Sequence, residues 1–563
     1  MVELMSYLLF ADSSLFMNII IHFYVVSSKK AFSLQGLVNE SQQRFINIPL
    51  FLFWAFMPNK AYSHAITPVT AITQTLPTCI IINQVYLIDA QQLTEISSRH
   101  IDGWRKKLEG KCISEQGLLD YADYIRAELI KAGYLTSYLY YPEQTFLFGI
   151  LQAKIIVGTV SSVVYQNEPR EDNLLPHIFP FKPGEALNLW HLEQGLYNLQ
   201  NTSLLPFQIK LIPDETNENG TQILVIGQHR REFQGILSFE SRSIARQVGN
   251  TVSHTFMAAN PLLRSDFLYS EVSRQLSGSE DTEITSAALF YSLPYHYWLF
   301  SVSGGYQENK SVLTGYDMAL PLQQYHWFLL LNAEYLLKRT EHSVTSISIG
   351  SQTQKSDTFL SDLYLQTQQR YANYIIGEFS HQTNFSQGNT LLKLKYKQGT
   401  DWFGANAQQI TGLRKPQILK ISLSTYREVL PFQYQGQFEV QLSRDKLDVL
   451  LDQESLVGAG GISGFTGGPQ YTDMGDNSLR LENELLWNTP WQQVALYTSL
   501  GIGATANDKA TFWKENVLLG GRIGAKGQLG RLSYHLFAEM PFWQGNQPVM
   551  HDVSSGLHVA YYY

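Results

Sequence analysis

The sequence predicts two small α+β modules followed by a long antiparallel β-barrel that spans a membrane, and three observations carry that expectation. The composition is 44% hydrophobic and 13% aromatic but only 16% charged, with Tyr, Phe and Gly as the conspicuous surplus. Soluble domains carry about 25% charged residues. Barrels need polar residues toward a wet lumen, aromatics at the lipid interfaces and glycines at turns. From residue 233 onward apolar residues recur with period two in stretches of about ten, the length a membrane strand requires. The chain then ends in GLHVAYYY (556–563), where Leu557, Val559, Tyr561 and Tyr563 share one face and an aromatic residue comes last.

Residues 44–65 read as a secretory leader. Arg44 supplies the positive start, Ile48 to Met57 the apolar stretch, and Ser63-His64-Ala65 a small-x-small cleavage pattern. The apolar stretch falls short of the ~20 residues a spanning helix needs. Residues 1–65 are therefore set aside as leader plus an N-terminal extension that fits a misassigned start. An exported chain meets an oxidising compartment, so Cys79 and Cys112, the two cysteines present, are expected to pair and close a loop. The rival is a two-thiol metal site, although neither cysteine lies in a CxxC or has a histidine at ligand spacing.

The first module, 66–159, opens on CIIINQVYLI (79–88), read as a short buried strand. Helices follow at 98–108 and 114–132, the second with Ser114 as N-cap, Gly133 as its stop and Leu118, Tyr121, Ile125 and Leu129 on one face. YLTSYLYY (134–141) and ILQAKIIVG (150–158) read as its last strands, a β-α-α-β-β order that suits two helices laid on a mixed sheet. The second module, 160–232, repeats the order: a strand at 160–166, a short helix near 177–181, a longer one at 189–199, and strands at 207–213 and 221–228.

These stretches carry a resemblance. GYLTSYLYYPEQTFLFGILQAKIIVGTVSSV (133–163) resembles the POTRA (polypeptide-transport-associated) module of the hemolysin secretion/activation family, the outer-membrane transporters of two-partner secretion. ALNLWHLEQGLYNLQ (186–200) resembles the second POTRA of that family, and the Cys79/Cys112 spacing matches its disulfide-bearing members. With the C-terminal signals the resemblance extends over nearly all of 76–563. It implies an unfolded client adding a strand to a module edge, with Tyr138, Tyr140 and Tyr141 as candidates to line the receiving groove. Their alternative role is ordinary module core. Some family members carry an N-terminal helix that plugs the barrel, but about a dozen residues separate Ala65 from the first strand, so no plug helix is expected here.

The barrel is assigned to 233–563. FLYSEVSRQL (267–276), SVTSISIG (343–350), NTLLKLKYKQG (389–399), QILKISLSTY (417–426) and 432–440 alternate, bounded by turn chemistry at Asn260-Pro261, Pro294-Tyr295 and Asp401. The resemblance implies sixteen strands. Tyr295, Tyr297 and Trp298 are candidates for an interfacial aromatic girdle, and 557–563 resembles the terminal signal by which barrels are recognised for assembly.

GAGGISGFTGGPQYTDMGDNSLRLENELLW (458–487) resembles the family's inward-folded extracellular loop, the fold-in lying near 458–480. The family's tip reads Val-Arg-Gly-Phe/Tyr; here it reads Ile462-Ser463-Gly464-Phe465, without the Arg. The acid that pairs with that Arg lies in a Phe-x-Asp-x-Gly strand, for which YTSLGIGA (497–504) puts Gly501 in the acid's place. Both partners are expected to be gone, which costs less than losing one, since a lone buried charge is expensive. The tip is then expected to be held by Phe465 packing and backbone bonds, and a distance above ~8 Å between Ser463 and the Gly501 strand would sink the assignment.

No HExxH, Walker A or GxSxG motif occurs, and GIGATA (501–506) has no βαβ unit around it. No enzyme, cofactor or metal is expected, and a net charge of −8 with no Lys/Arg run argues against nucleic acid. The resemblance implies a monomer in the bacterial outer membrane, with its modules in the periplasm. Its implied partners are lipid, the barrel assembly machinery and a secreted exoprotein (hemolysin or adhesin type) that carries an N-terminal secretion domain. The alternatives are an assembly factor that inserts other barrels, and a passive pore.

Overall fold

The computed structural model describes residues 79–563 apart from 167–174, 202–206, 228–230, 245–246, 277–282, 315–318, 341, 406–414, 449–450, 459–460, 466–473, 492, 508–515 and 546–552. The expected leader, its cleavage point and the region where a plug helix would lie fall outside the described residues. Two units form, one over the modules to His229 and one from Arg230 onward.

In the first module, helices Ser98–Lys106 and Glu115–Lys131 pack on a three-stranded sheet ordered Gln84–Ile88, Ile150–Ile156, Tyr138–Tyr140. The first pair is parallel and the second antiparallel. The Ser114 hydroxyl accepts from the Gly117 N–H at 3.2 Å and caps the longer helix. Leu118, Tyr121, Ile125 and Leu129 are its buried face, and it stops at Gly133, whose φ of 92° a glycine adopts without strain. The stretch expected as one buried strand at 79–88 is two, Ile80–Ile82 and Gln84–Ile88. The break falls at Asn83, which turns its N–H to the Gly149 carbonyl at 2.7 Å. Only one face of the second strand is buried, through Val85 and Leu87, while Tyr86 and Ile88 stay exposed. Cys79 and Cys112 form a disulfide, which fastens Ile80–Ile82 to the strand Lys111–Ile113; the metal alternative falls.

The second module repeats the plan with strands Thr159–Tyr165, Gly220–Ile226 and Gln208–Pro213 in that spatial order and helices Leu175–Ile178 and Leu189–Asn201. Phe179 fills its core against Gly195, where a Cβ would come within 2.0 Å of the ring. The modules meet through hydrogen bonds to backbone carbonyls: Leu189 N–H donates to the Gly133 carbonyl at 2.8 Å, Leu187 N–H to the Gly158 carbonyl at 2.8 Å, and the Asn188 side-chain Nδ2 to the Ala132 carbonyl at 3.1 Å.

Sixteen antiparallel strands then close a barrel, from Glu232–Ile244 to Ser554–Tyr562. Each pairs with its sequence neighbour, and the seam runs from Ser555 opposite Ser243 to Tyr562 opposite Ile236. The two-residue strand Leu363–Tyr364 extends one rim. Pro294 lies within the strand Glu283–Tyr295 rather than in a turn; the reversal falls two residues later, at His296-Tyr297, where His296 has φ 53°. Closure leaves no unpaired edge, which is what lets strands sit in hydrocarbon. The pattern is inside out: Leu331, Ile349, Leu423 and Leu500 point outward and are about half exposed, whereas Lys393, Lys395, Gln354 and Ser499 point in and are buried. Trp298 stacks on Phe300 and leans on Tyr335, with Tyr297 edge-on to the same tyrosine, a belt of rings at one rim.

Candidate functional site: a loop folded into the barrel lumen

The longest connection, between strands Phe432–Ser443 and Asn477–Asn488, turns inward. Its tip rests on glycines. Gly464, at φ 94°, lies so close to the wall that an added Cβ would stand 2.5 Å from the Met540 carbonyl and 2.7 Å from Gly520 Cα. A Cβ on Gly520 would meet the Ser463 carbonyl at 2.3 Å. A β-bulge between Leu519 and Gly520 bends the wall at this contact. Ile462 and Phe465 pack with Leu456, Val457 and Leu518 in a closed apolar cluster, so Phe465 sits where packing would hold the tip.

Ser463 docks against the strand that carries Gly501: a Cβ there would lie 2.8 Å from Ser463 N. The expectation that the wall acid is gone needs correction. Glu482, on the neighbouring strand and directly opposite Gly501 in register, takes its place. It accepts the Ser463 N–H at 2.6 Å and the Ser463 hydroxyl at 2.9 Å, and Arg480 stands 3.9 Å away on the same inner face. Since the Ser463 proton goes to Glu482, the Ser499 hydroxyl donates to Ser463 Oγ at 2.8 Å. The carboxylate that meets the tip thus lies one strand away from Gly501, outside 497–504.

The loop's root is fastened elsewhere, by charged residues that belong to no sequence motif. Asp448, Asp452 and Glu454 pair with Arg370 (2.5 Å), Lys397 (2.8 Å) and Lys420 (3.1 Å), on three consecutive strands. Asp452 also accepts the Tyr374 hydroxyl at 2.6 Å, and the Lys397 ammonium lies 3.8 Å from the Tyr374 ring centre. Asp476 closes the root, accepting from Leu447 N–H and the Gln453 amide. In the sequence these groups show only as the acids 448, 452 and 454 in the loop and single basic residues, Arg370, Lys397 and Lys420, on separate strands.

Of the module tyrosines, Tyr138 is exposed and Tyr140 half-buried on the edge strand Tyr138–Tyr140. Tyr141 is corrected: it is buried in the core, donating its hydroxyl to the Leu118 carbonyl at 2.8 Å, and burial pushes its phenol above the usual range. It cannot line an open groove. At the C-terminus Tyr561 and Tyr563 face outward and Leu557 and Val559 share their side, while Gly556, His558 and Ala560 point in. Tyr563 exchanges backbone bonds with Gly235, and its hydroxyl meets His254 Nε2 at 2.6 Å.

Paired α+β modules ahead of a sixteen-stranded barrel with a loop folded into the lumen define an outer-membrane protein transporter, its modules in the periplasm. The family model described as haemolysin secretion/activation protein ShlB/FhaC/HecB matches residues 219–527, and POTRA models match 80–158 (ShlB-type) and 159–213. The chain belongs to this family of two-partner secretion transporters, which are not enzymes. Among curated proteins it is similar to the outer membrane transporter CdiB of Escherichia coli (strain 536), 23% identical over 82% of this chain and 79% of that one. CdiB-2 of Burkholderia pseudomallei is 22% identical over 78% and 77%. Solved structures of CdiB from Escherichia coli (22% identical, 88% and 93% covered) and Acinetobacter baumannii (18%, 98% and 100%) share the fold, each at a TM-score of 0.77.

Proposed function

We propose that the POTRA modules capture one exoprotein through its N-terminal secretion domain and feed it, unfolded, through the barrel lumen, and that its client belongs with those of the CdiB transporters rather than with hemolysins. The observation that carries this reading is the loop seated inside a closed barrel, held by directional polar bonds and one small apolar cluster. Such a plug can leave and return. The edge strand Tyr138–Tyr140 offers unpaired backbone groups to which an extended client segment can add, with Tyr138 and Tyr140 as its side-chain contacts. No nucleotide is called for, since folding outside the cell draws the chain outward.

The test is deletion of the gene in its own host, scoring release of the large exoprotein encoded beside it together with the levels of unrelated outer-membrane barrels. Loss of release with unchanged barrel levels supports the reading. A general fall in barrel levels would instead identify an assembly factor, and unimpaired release would leave only a pore.

A further inference from the structure

We propose that Arg370, Lys397 and Lys420 are the positioning residues of the lid loop, and that its ionic fastening lies at the root rather than at the tip. This deepens the transport reading and rests on it for its purpose, though the fastening itself can be tested without any client.

Two anchors hold the loop to separate parts of the wall. The tip touches strands Asn477–Asn488, Ala495–Ala506 and Asn516–Leu529. The root touches Arg370–Phe385, Gly388–Thr400 and Gln417–Val429, near the ends of those strands that carry the long loop. The tip contributes no full charge: its donors are one N–H and one hydroxyl, and its carboxylate already has Arg480 beside it. The root contributes three carboxylates to three cations. Asp452 is 3% exposed at its side chain and Lys397 16%, so this pair is dry enough for its attraction to count. Tyr374 satisfies the second carboxylate oxygen, and its ring flanks the ammonium. Arg370 is itself oriented by its Nη1, which donates to the carbonyls of Thr367 (2.8 Å) and Gln369 (3.0 Å). Breaking one member of such a set leaves its partner charged, buried and uncompensated, which favours a displaced loop. Release of the tip breaks two hydrogen bonds to a carboxylate that keeps Arg480 beside it, whereas release of the root separates three ion pairs.

The experiment is planar-bilayer recording of the purified full-length protein, with heat-modifiable migration on gels checked first to show that the barrel has formed. D452N and K397Q should each raise open time on the order of tenfold, as expected when a two-state gate loses a buried charge partner. The charge-swapped K397D/D452K should return toward the parent. S463A, which keeps the tip N–H, should raise open time less than either. If the Asp452 variants do not assemble, D448N at the Arg370 pair gives the same reading. Unchanged recordings in D452N and K397Q, or a larger opening from S463A than from both, would overturn the proposal. Secretion measured on the same variants separates the two readings: altered gating keeps the latch whatever the export, and the transport reading stands or falls on export itself.

Discussion

Ser463 shows how much a single small side chain can do when the wall is built to receive it. Its hydroxyl and N–H share the Glu482 carboxylate, and its backbone rests on Gly520. A side chain at 520 cannot coexist with a docked tip, because its Cβ would lie 2.3 Å from the Ser463 carbonyl. G520V should therefore expel the tip, raising bilayer conductance while leaving the folded barrel's gel migration intact. Tyrosines two and three residues apart part company in the same way. Y141F removes a buried donor to the Leu118 carbonyl and should destabilise the first module by ~1 kcal/mol, read by chemical denaturation. Y138S should leave stability alone and lower client capture in a pull-down. The sequence showed three tyrosines but could not rank them, because which of them meets the core depends on where the strand ends.

Elements were the most legible scale. Period-two alternation and a capped amphipathic helix are local patterns, so the strand Phe267–Leu276 and the helix that Ser114 caps fall where the residues placed them. Register and cross-wall contacts are not local. Arg370 meets Asp448 and Lys397 meets Asp452 across 78 and 55 residues, and no window of sequence brings them together. The acid at 482 was hidden for the same reason. Two element-scale predictions follow from the modules. Replacing Cys79 and Cys112 by Ser frees the strand Ile80–Ile82 and should cost the first module about 3–4 kcal/mol on the loop-entropy model for a closed loop of this size, measured by urea unfolding. At the junction, burial holds His191 below its usual value of 6.5, outweighing the Glu95 carboxylate 3.6 Å away, which acts the other way. The folded modules then bind fewer protons there than the unfolded chain. The contribution is whole above about pH 6.5 and fades as the pH falls below it. Intrinsic-rate-corrected amide protection across 187–191 should accordingly drop in acid, and H191Q should abolish that drop.

At the scale of the whole molecule, a closed barrel hides backbone polarity and leaves one choice at every strand position, lumen or lipid. That choice makes the route of the client testable residue by residue. Ser422 lies opposite Lys393 and Glu439 and points into the lumen, whereas its neighbour Leu423 is exposed on the outer face. Both sit away from the loop tip. The most direct measurement is site-specific photo-crosslinking in cells, with a photoreactive amino acid at 422 or at 423 and the exoprotein stalled during export by a folded domain. Passage through the lumen gives a client adduct from 422 and none from 423. Adducts from 423, or none from 422 while the stalled client occupies the transporter, would contradict passage through the lumen.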